Sequence, residues 1–310
     1  MIIGNVGAYE ADDICKIVDR MLRDLGNPEP PLDLVQVRSL LDLNLRYYST
    51  ADPSFLQEVT HHLSMAGRQL IREPMRLFDA VRKSGLTALW LPKSKSILID
   101  QAVPKPKHRW IEGHEIGHSM IPWHREFLFG DNEITLDPTC HATIEAEANY
   151  ASARMLFLQD RFGAEARDSA LNFKTVQAMA KRYGNTLTTT FWRIIEDRTP
   201  DLPVFGMMTA HPHHPHIGRG DQGEEIRYFI RSQAFRQKFG AMTAEQGYAL
   251  ITKHATRRSR GPVFTATDVL IDDRGEVHEF VFESFCNTYA LLTIGSAVQL
   301  KPTMVATHFA

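Results

Sequence analysis

The stretch His114-Glu115-Ile116-Gly117-His118 constrains this chain more than any other, because two imidazoles four residues apart can act together only on a helix. At 3.6 residues per turn both project from one face and can reach a single metal ion. Glu115 stands about 100° round the helix axis, where a base can take a proton from water at that ion. Trp110, Ile111 and Ile121 supply apolar contacts for such a helix, and Pro122 marks its stop. The alternative is a chance match on a polar helix, since motifs this short recur by accident.

A third ligand is available downstream. Asp137 reads as an N-cap and Pro138 as a first helical residue. The stretch that follows is rich in Ala, Glu, Met and Leu, all good helix formers. It carries Glu145 and Glu147, which two-residue spacing turns to different faces, so one of them should meet the metal. Glu145 has Asn149 four residues on, placed to hydrogen-bond a ligand and fix its orientation, whereas Glu147 has only Ala151. Glu145 is therefore the expected ligand and Glu147 the alternative. Either is also readable as a solvated surface glutamate.

His114 to His118 followed by Glu145, Ala148 and Asn149 on a second helix resembles the gluzincin metallopeptidases, and more closely the ImmA/IrrE family of bacterial regulatory metallopeptidases. The strand-like run Ser96–Asp100 and Arg109 match further pieces of that pattern, and the similarity covers roughly residues 28–198. Two positions depart from it: Ala151 stands where the family often has Phe, and Leu158 where it often has Pro. The resemblance implies a metal-dependent endopeptidase using His114, His118 and Glu145 as ligands and Glu115 as base. Zn2+ is the expected ion, with Mn2+ or another divalent metal the alternative. It implies a protein substrate, a helix-turn-helix transcriptional repressor whose cleavage would derepress a stress or mobile-element programme. Tyr150, His141, His124 and the His211 region are all candidates for stabilising the developing oxyanion.

With 310 residues the chain is long enough for one large or two moderate domains. At 43% hydrophobic and 23% charged residues it falls in the ordinary range for globular proteins. Its formal net charge of −2 gives no global field to attract nucleic acid. Cys15, Cys140 and Cys286 are widely spaced and odd in number, which suits a reducing cytoplasm rather than a disulfide framework. Cys140 reads as a structural thiol. No signal-like or membrane-length apolar run is expected, so no membrane association is either.

Ile14, Ile17, Val18, Met21, Leu22 and Leu25 recur at helical spacing, stopped by Gly26 and Pro28; packing is favoured over partner binding for this stripe. A short helix to about Leu41 and a strand over 44–49 follow. Asp52-Pro53 opens two helical stretches closed by Gly85. Residues 86–91 and 96–100 flank Pro92-Lys93-Ser94-Lys95 as a hairpin, either structural or an edge that holds an extended peptide.

Residues 174–197 read as helix-turn-helix-like about Gly184-Asn185, but the second helix offers only Thr188, Thr189, Thr190 and Arg193 to DNA, which argues against DNA binding. Thr199-Pro200-Asp201-Leu202-Pro203 reads as a linker. Beyond it, strands over 204–209, 226–231, 263–271, 277–282 and 290–294 alternate with helices around Phe235 and Gly247. His211-Pro212-His213-His214-Pro215-His216 reads as a flexible loop, with a second metal site as the alternative. His278-Glu279 lies in a strand pattern with Phe282 at the fourth place, so it carries no metal motif.

The expected fold is α+β. A helix over 1–27 precedes a mainly helical zincin-like domain with a small sheet over 28–198, and a small α+β regulatory or substrate-docking domain spans 203–310. The rival functions are a metal-binding regulator or toxin–antitoxin component that cleaves nothing, and a DNA-binding regulator.

Overall fold

The computed structural model describes residues 6–49, 88–92, 94–124, 138–197, 201–220 and 223–298. The helical stretches expected between Asp52 and Gly85, and the cap at Asp137, lie outside these residues. The fold is α+β, and its contacts divide it into two compact units: Met1–Phe162 with Lys181–Thr186, and Gly163–Ala180 with Leu187–Ala310.

In the first unit, α1 (Ala8–Asp24) buries Ile14, Val18, Met21 and Leu22, the stripe seen in the sequence. It packs on the second ligand helix, where the Cys15 thiol lies 3.3 Å from the Tyr150 hydroxyl. α2 (Leu34–Leu41) is capped by Asp33, whose carboxylate accepts from the Val35 amide. β1 (Asn44–Tyr48), β2 (Ala88–Leu91) and β3 (Ser96–Asp100) form a sheet of order β1-β3-β2, with β3 parallel to β1 and antiparallel to β2. The central position of β3 explains its unbroken apolar run, because Ile97, Leu98 and Ile99 are all buried whichever face they take.

α3 (Lys105–Met120) carries the motif and begins on prolines. It ends where Ile121 turns extended ahead of Pro122. It lies against α4 (Pro138–Leu156) through two glycines one turn apart. A Cβ on Gly117 would stand 2.8 Å from the Ala148 carbonyl oxygen, and one on Gly113 would stand 2.8 Å from Ser152 Oγ. Ala151 is fully buried beneath Gly117, so the phenylalanine of the resembling family has no room there. At the exit of α4, Leu158 and Gln159 take left-handed φ of 53° and 56°, ending the helix without a proline.

In the second unit, a five-stranded sheet of order β5-β4-β8-β7-β6 is antiparallel throughout. It comprises β4 (Val204–Thr209), β5 (Ile226–Arg231), β6 (Gly261–Ile271), β7 (Val277–Cys286) and β8 (Leu291–Ala297). One face buries Phe205, Phe280 and Phe282 with Phe235 and Phe239, the latter two around the short helix Gln233–Lys238. After the short helix α5 (Asp160–Arg167), the pair α6 (Phe173–Tyr183) and α7 (Leu187–Asp197) forms as expected, but the contacts divide within α6 rather than at 199–203. The reason is that α7 packs on β4: Gly206 leaves room there for Phe191 and Ile195.

Candidate metal centre

α3 presents His114 and His118 one turn apart, and the close approach at Gly113 and Gly117 brings Glu145 of α4 against both. The two Nε2 atoms are 3.1 Å apart. Glu145 Oε2 lies 3.1 Å from His114 Nε2, and its Oε1 lies 3.4 Å from His118 Nε2. A tetrahedral ion with bonds of about 2.1 Å sets its ligands about 3.4 Å apart, so this triangle has the size such an ion requires. The donor set is two imidazoles and one carboxylate, which suits zinc. The Glu145 side chain is 41% exposed against 7% for His118, so the cluster opens to solvent on the Glu145 side, where a fourth ligand would enter.

Both imidazoles are held from behind. Asn149 Oδ1 lies 3.1 Å from His114 Nδ1; an amide oxygen accepts, so Nδ1 donates to it and Nε2 is the ring atom turned to Glu145. Behind His118 stands His124, its Nδ1 3.0 Å from His118 Nδ1, and His124 Nε2 lies 2.8 Å from Glu147 Oε2. The same oxygen accepts from the Trp123 indole N–H at 2.6 Å. Glu147, the alternative ligand in the sequence, thus faces away from the cluster. His124, a candidate for the oxyanion, sits fully buried behind a ligand instead.

The electrostatics follow from burial and crowding. Burial pushes the Glu115 carboxyl up to about 7; the neighbouring His114 and an amide hydrogen bond from Trp90 oppose this, and the Glu145 charge adds to it. Burial takes His118 down to about 4, so it is a neutral donor at physiological pH. For His114 burial acts downward, but the Glu145 and Glu115 carboxylates outweigh it and the net shift is upward. Burial likewise opposes ionisation of Glu145, yet the two imidazoles hold it well below the usual carboxylate range. The Tyr48 phenol, missed in the sequence, is pushed up to about 12 by burial and by Asp100 and Glu115, so it stays a proton donor close to the base.

The Glu115 shift has a measurable consequence. A carboxyl whose folded pKa lies above its unfolded value contributes stability below the unfolded pKa, and loses it as pH rises through the folded one. The stability of the metal-free protein should therefore fall between about pH 4.5 and 7 by roughly 3 kcal/mol from this group. Glu115→Gln should remove that slope. Thermal melts of chelated wild type and variant at pH 5 and pH 8 test it: the variant should be the more stable at pH 8, and equal slopes would refute the assignment.

The remaining candidates separate. Tyr150 faces Cys15 on α1. The side chains of Cys140 and His141 lie outside the described residues. The 211–216 segment is pinned rather than loose: His211, His213 and His214 donate from Nε2 to the carbonyls of Arg258, Ala255 and Arg257 at 2.8–3.0 Å. Those nitrogens carry protons and offer no lone pair to a metal. A second group, Asp272, Glu276 and His278, also gathers within ligand distance. Its Asp272 oxygens already accept from the Arg274 and Glu276 amides and from His278, as a turn between β6 and β7 requires. On α7, Thr190 and Arg193 are buried, and Arg193 lies 2.5 Å from Asp197, so the one basic residue expected on a reading helix is not displayed. No helix among the described residues is long and apolar enough to cross a membrane.

No protein-family model matches the chain, and no curated protein matches it. A solved structure described as a Mycobacterium tuberculosis transcriptional regulator is similar over 92% of this chain and 87% of that one, at 10% identity and a TM-score of 0.49. A likeness at that level carries no family and no activity across, and the ImmA/IrrE resemblance rests on its motif residues.

Proposed function

We propose that this chain is a divalent-metal-dependent endopeptidase that hydrolyses a bond in a specific protein. The observation that carries this reading is the triangle of His114, His118 and Glu145 donor atoms at tetrahedral-edge spacing with Glu115 buried beside it. A zinc ion held by those three residues would act as a Lewis acid and lower the pKa of water to about 7. Glu115, with its pKa near neutrality, is suited to take the water proton and return it to the leaving amine nitrogen. Tyr48, kept protonated, is suited to donate to a developing negative charge.

Substrate alignment falls to β2. Among the described residues it is one of the two edges of its sheet, and the Trp90 amide in it hydrogen-bonds Glu115. An extended peptide adding to that edge would run past the base through backbone hydrogen bonds. The resemblance to ImmA/IrrE proteins makes a helix-turn-helix transcriptional repressor the proposed substrate, and derepression of a stress or mobile-element programme the proposed outcome.

Digestion of a proteome-derived peptide library, read by mass spectrometry, tests the activity. New termini should appear with zinc-loaded protein, vanish with 1,10-phenanthroline and return with added zinc. Folded, zinc-loaded protein that cuts neither the library nor intact helix-turn-helix repressors would leave the non-proteolytic binder and overturn the peptidase.

A further inference from the structure

We infer that Glu147 and His124 are positioning residues that fix the proton on His118 Nδ1 and so aim the His118 Nε2 lone pair at the metal position. The inference rests on the metal-dependent reading above and extends it to a second carboxylate and a third imidazole.

The argument is one of donors and acceptors. The Glu147 side chain is only 4% exposed. Its Oε2 lies 2.6 Å from the Trp123 indole N–H, a group that can only donate, so that oxygen serves as an acceptor. The same oxygen accepts from His124, so the 2.8 Å contact is donated by His124 Nε2–H. The two Nδ1 atoms of His118 and His124 are 3.0 Å apart with no metal position between them, so one donates to the other, whereas the Nε2 atoms of His114 and His118, 3.1 Å apart, share the metal position. An imidazole that offers Nε2 to a metal carries its proton on Nδ1, so His118 donates and His124 accepts. The other His118 nitrogen, Nε2, is the atom that faces His114 Nε2 and Glu145.

The two ligand imidazoles reach the same tautomer by different means. His114 is held by a neutral amide four residues along from Glu145. His118 is held by a carboxyl group acting through a second ring, with the Trp123 indole N–H fixing the same Glu147 oxygen from the side. A carboxylate behind a ligating histidine raises the basicity of the ligand and holds the ring in place. This also accounts for two glutamates two residues apart on α4: one meets the metal position, and the other reaches round to the back of the histidine that shares it.

The test measures zinc affinity by competition with a chromophoric chelator, together with the visible spectrum of the Co2+-substituted protein and the imidazole 15N shifts of the zinc-loaded protein. His124→Leu should weaken zinc binding by about 10- to 100-fold. It should also alter the Co2+ spectrum and shift the His118 Nδ1 resonance, whose proton has lost its acceptor. His124→Gln, whose amide oxygen can accept from His118, should recover part of the loss, which lost packing alone would not predict. Glu147→Gln, close in volume, covers the case of a His124→Leu variant that fails to fold, and should weaken binding by about tenfold. Wild type that binds zinc, with His124→Leu or Glu147→Gln binding as tightly, would overturn the inference and leave the metal site standing. Wild type that binds no zinc would overturn both.

Discussion

Replacing Glu115 with glutamine is expected to lower peptide cleavage by about a thousandfold, within the range general-base catalysis contributes, while zinc affinity changes by less than about tenfold. Glutamine matches glutamate in size and can keep the hydrogen bond to the Trp90 amide, so the pocket should hold its shape. It cannot take a proton. The three residues that would hold the ion, His114, His118 and Glu145, are untouched. The measurement pairs initial rates on a peptide cut by the wild type with zinc stoichiometry on the same preparation. Loss of both would mean a structural role for Glu115. Full activity with zinc bound would mean that another group is the base. Retention of regulatory function in cells without any cleavage would point to the non-proteolytic rival.

The gathering of His114, His118 and Glu145 is legible in the sequence because helical periodicity is a strong geometric rule. A four-residue spacing fixed His114 and His118 on one face, and the same rule tied Asn149 to Glu145. Periodicity also found α1, β4 and β5 with their boundaries nearly right. It failed where the helix breaks. His124 lies beyond Pro122 and no spacing rule links it to α3, so its place behind His118 was not readable. Glu147 was correctly turned to another face than Glu145, but the spacing did not say what waits there. The histidine-rich stretch read as flexible from its prolines, whereas three ring-to-carbonyl bonds hold it, contacts made to residues more than forty positions away. The extra length of β7 and β8 beyond their apolar cores comes from pairing between strands, as at Ser284 opposite Thr293, which polar residues support as well as apolar ones.

The glycines of the motif helix passed unread as spacers, and they yield the largest expected effect on the fold of the first unit. Gly117→Ala would normally favour a helix by about 1 kcal/mol, since alanine loses less backbone freedom on folding. Here the added Cβ would stand 2.8 Å from the Ala148 carbonyl oxygen and 3.4 Å from the Ala151 Cβ. A backbone carbonyl within α4 cannot rotate away as a side chain can, so the helices must part by some tenths of an ångström. Overpacking of this kind costs about 1–3 kcal/mol, enough to reverse the propensity gain. Gly163→Ala serves as the control, because its nearest neighbour is the movable end of the Arg167 side chain at 3.3 Å; there the propensity gain should survive. Urea unfolding of the metal-free proteins should therefore show Gly117→Ala less stable than wild type and Gly163→Ala equal or more stable. Zinc affinity should fall in the first variant only, because moving α4 carries Glu145 away from two histidines that stay on α3. If Gly117→Ala instead proved as stable as wild type and bound zinc as tightly, the helix spacing could not be what places the third ligand, and the site would have to be held together from the Glu145 side alone.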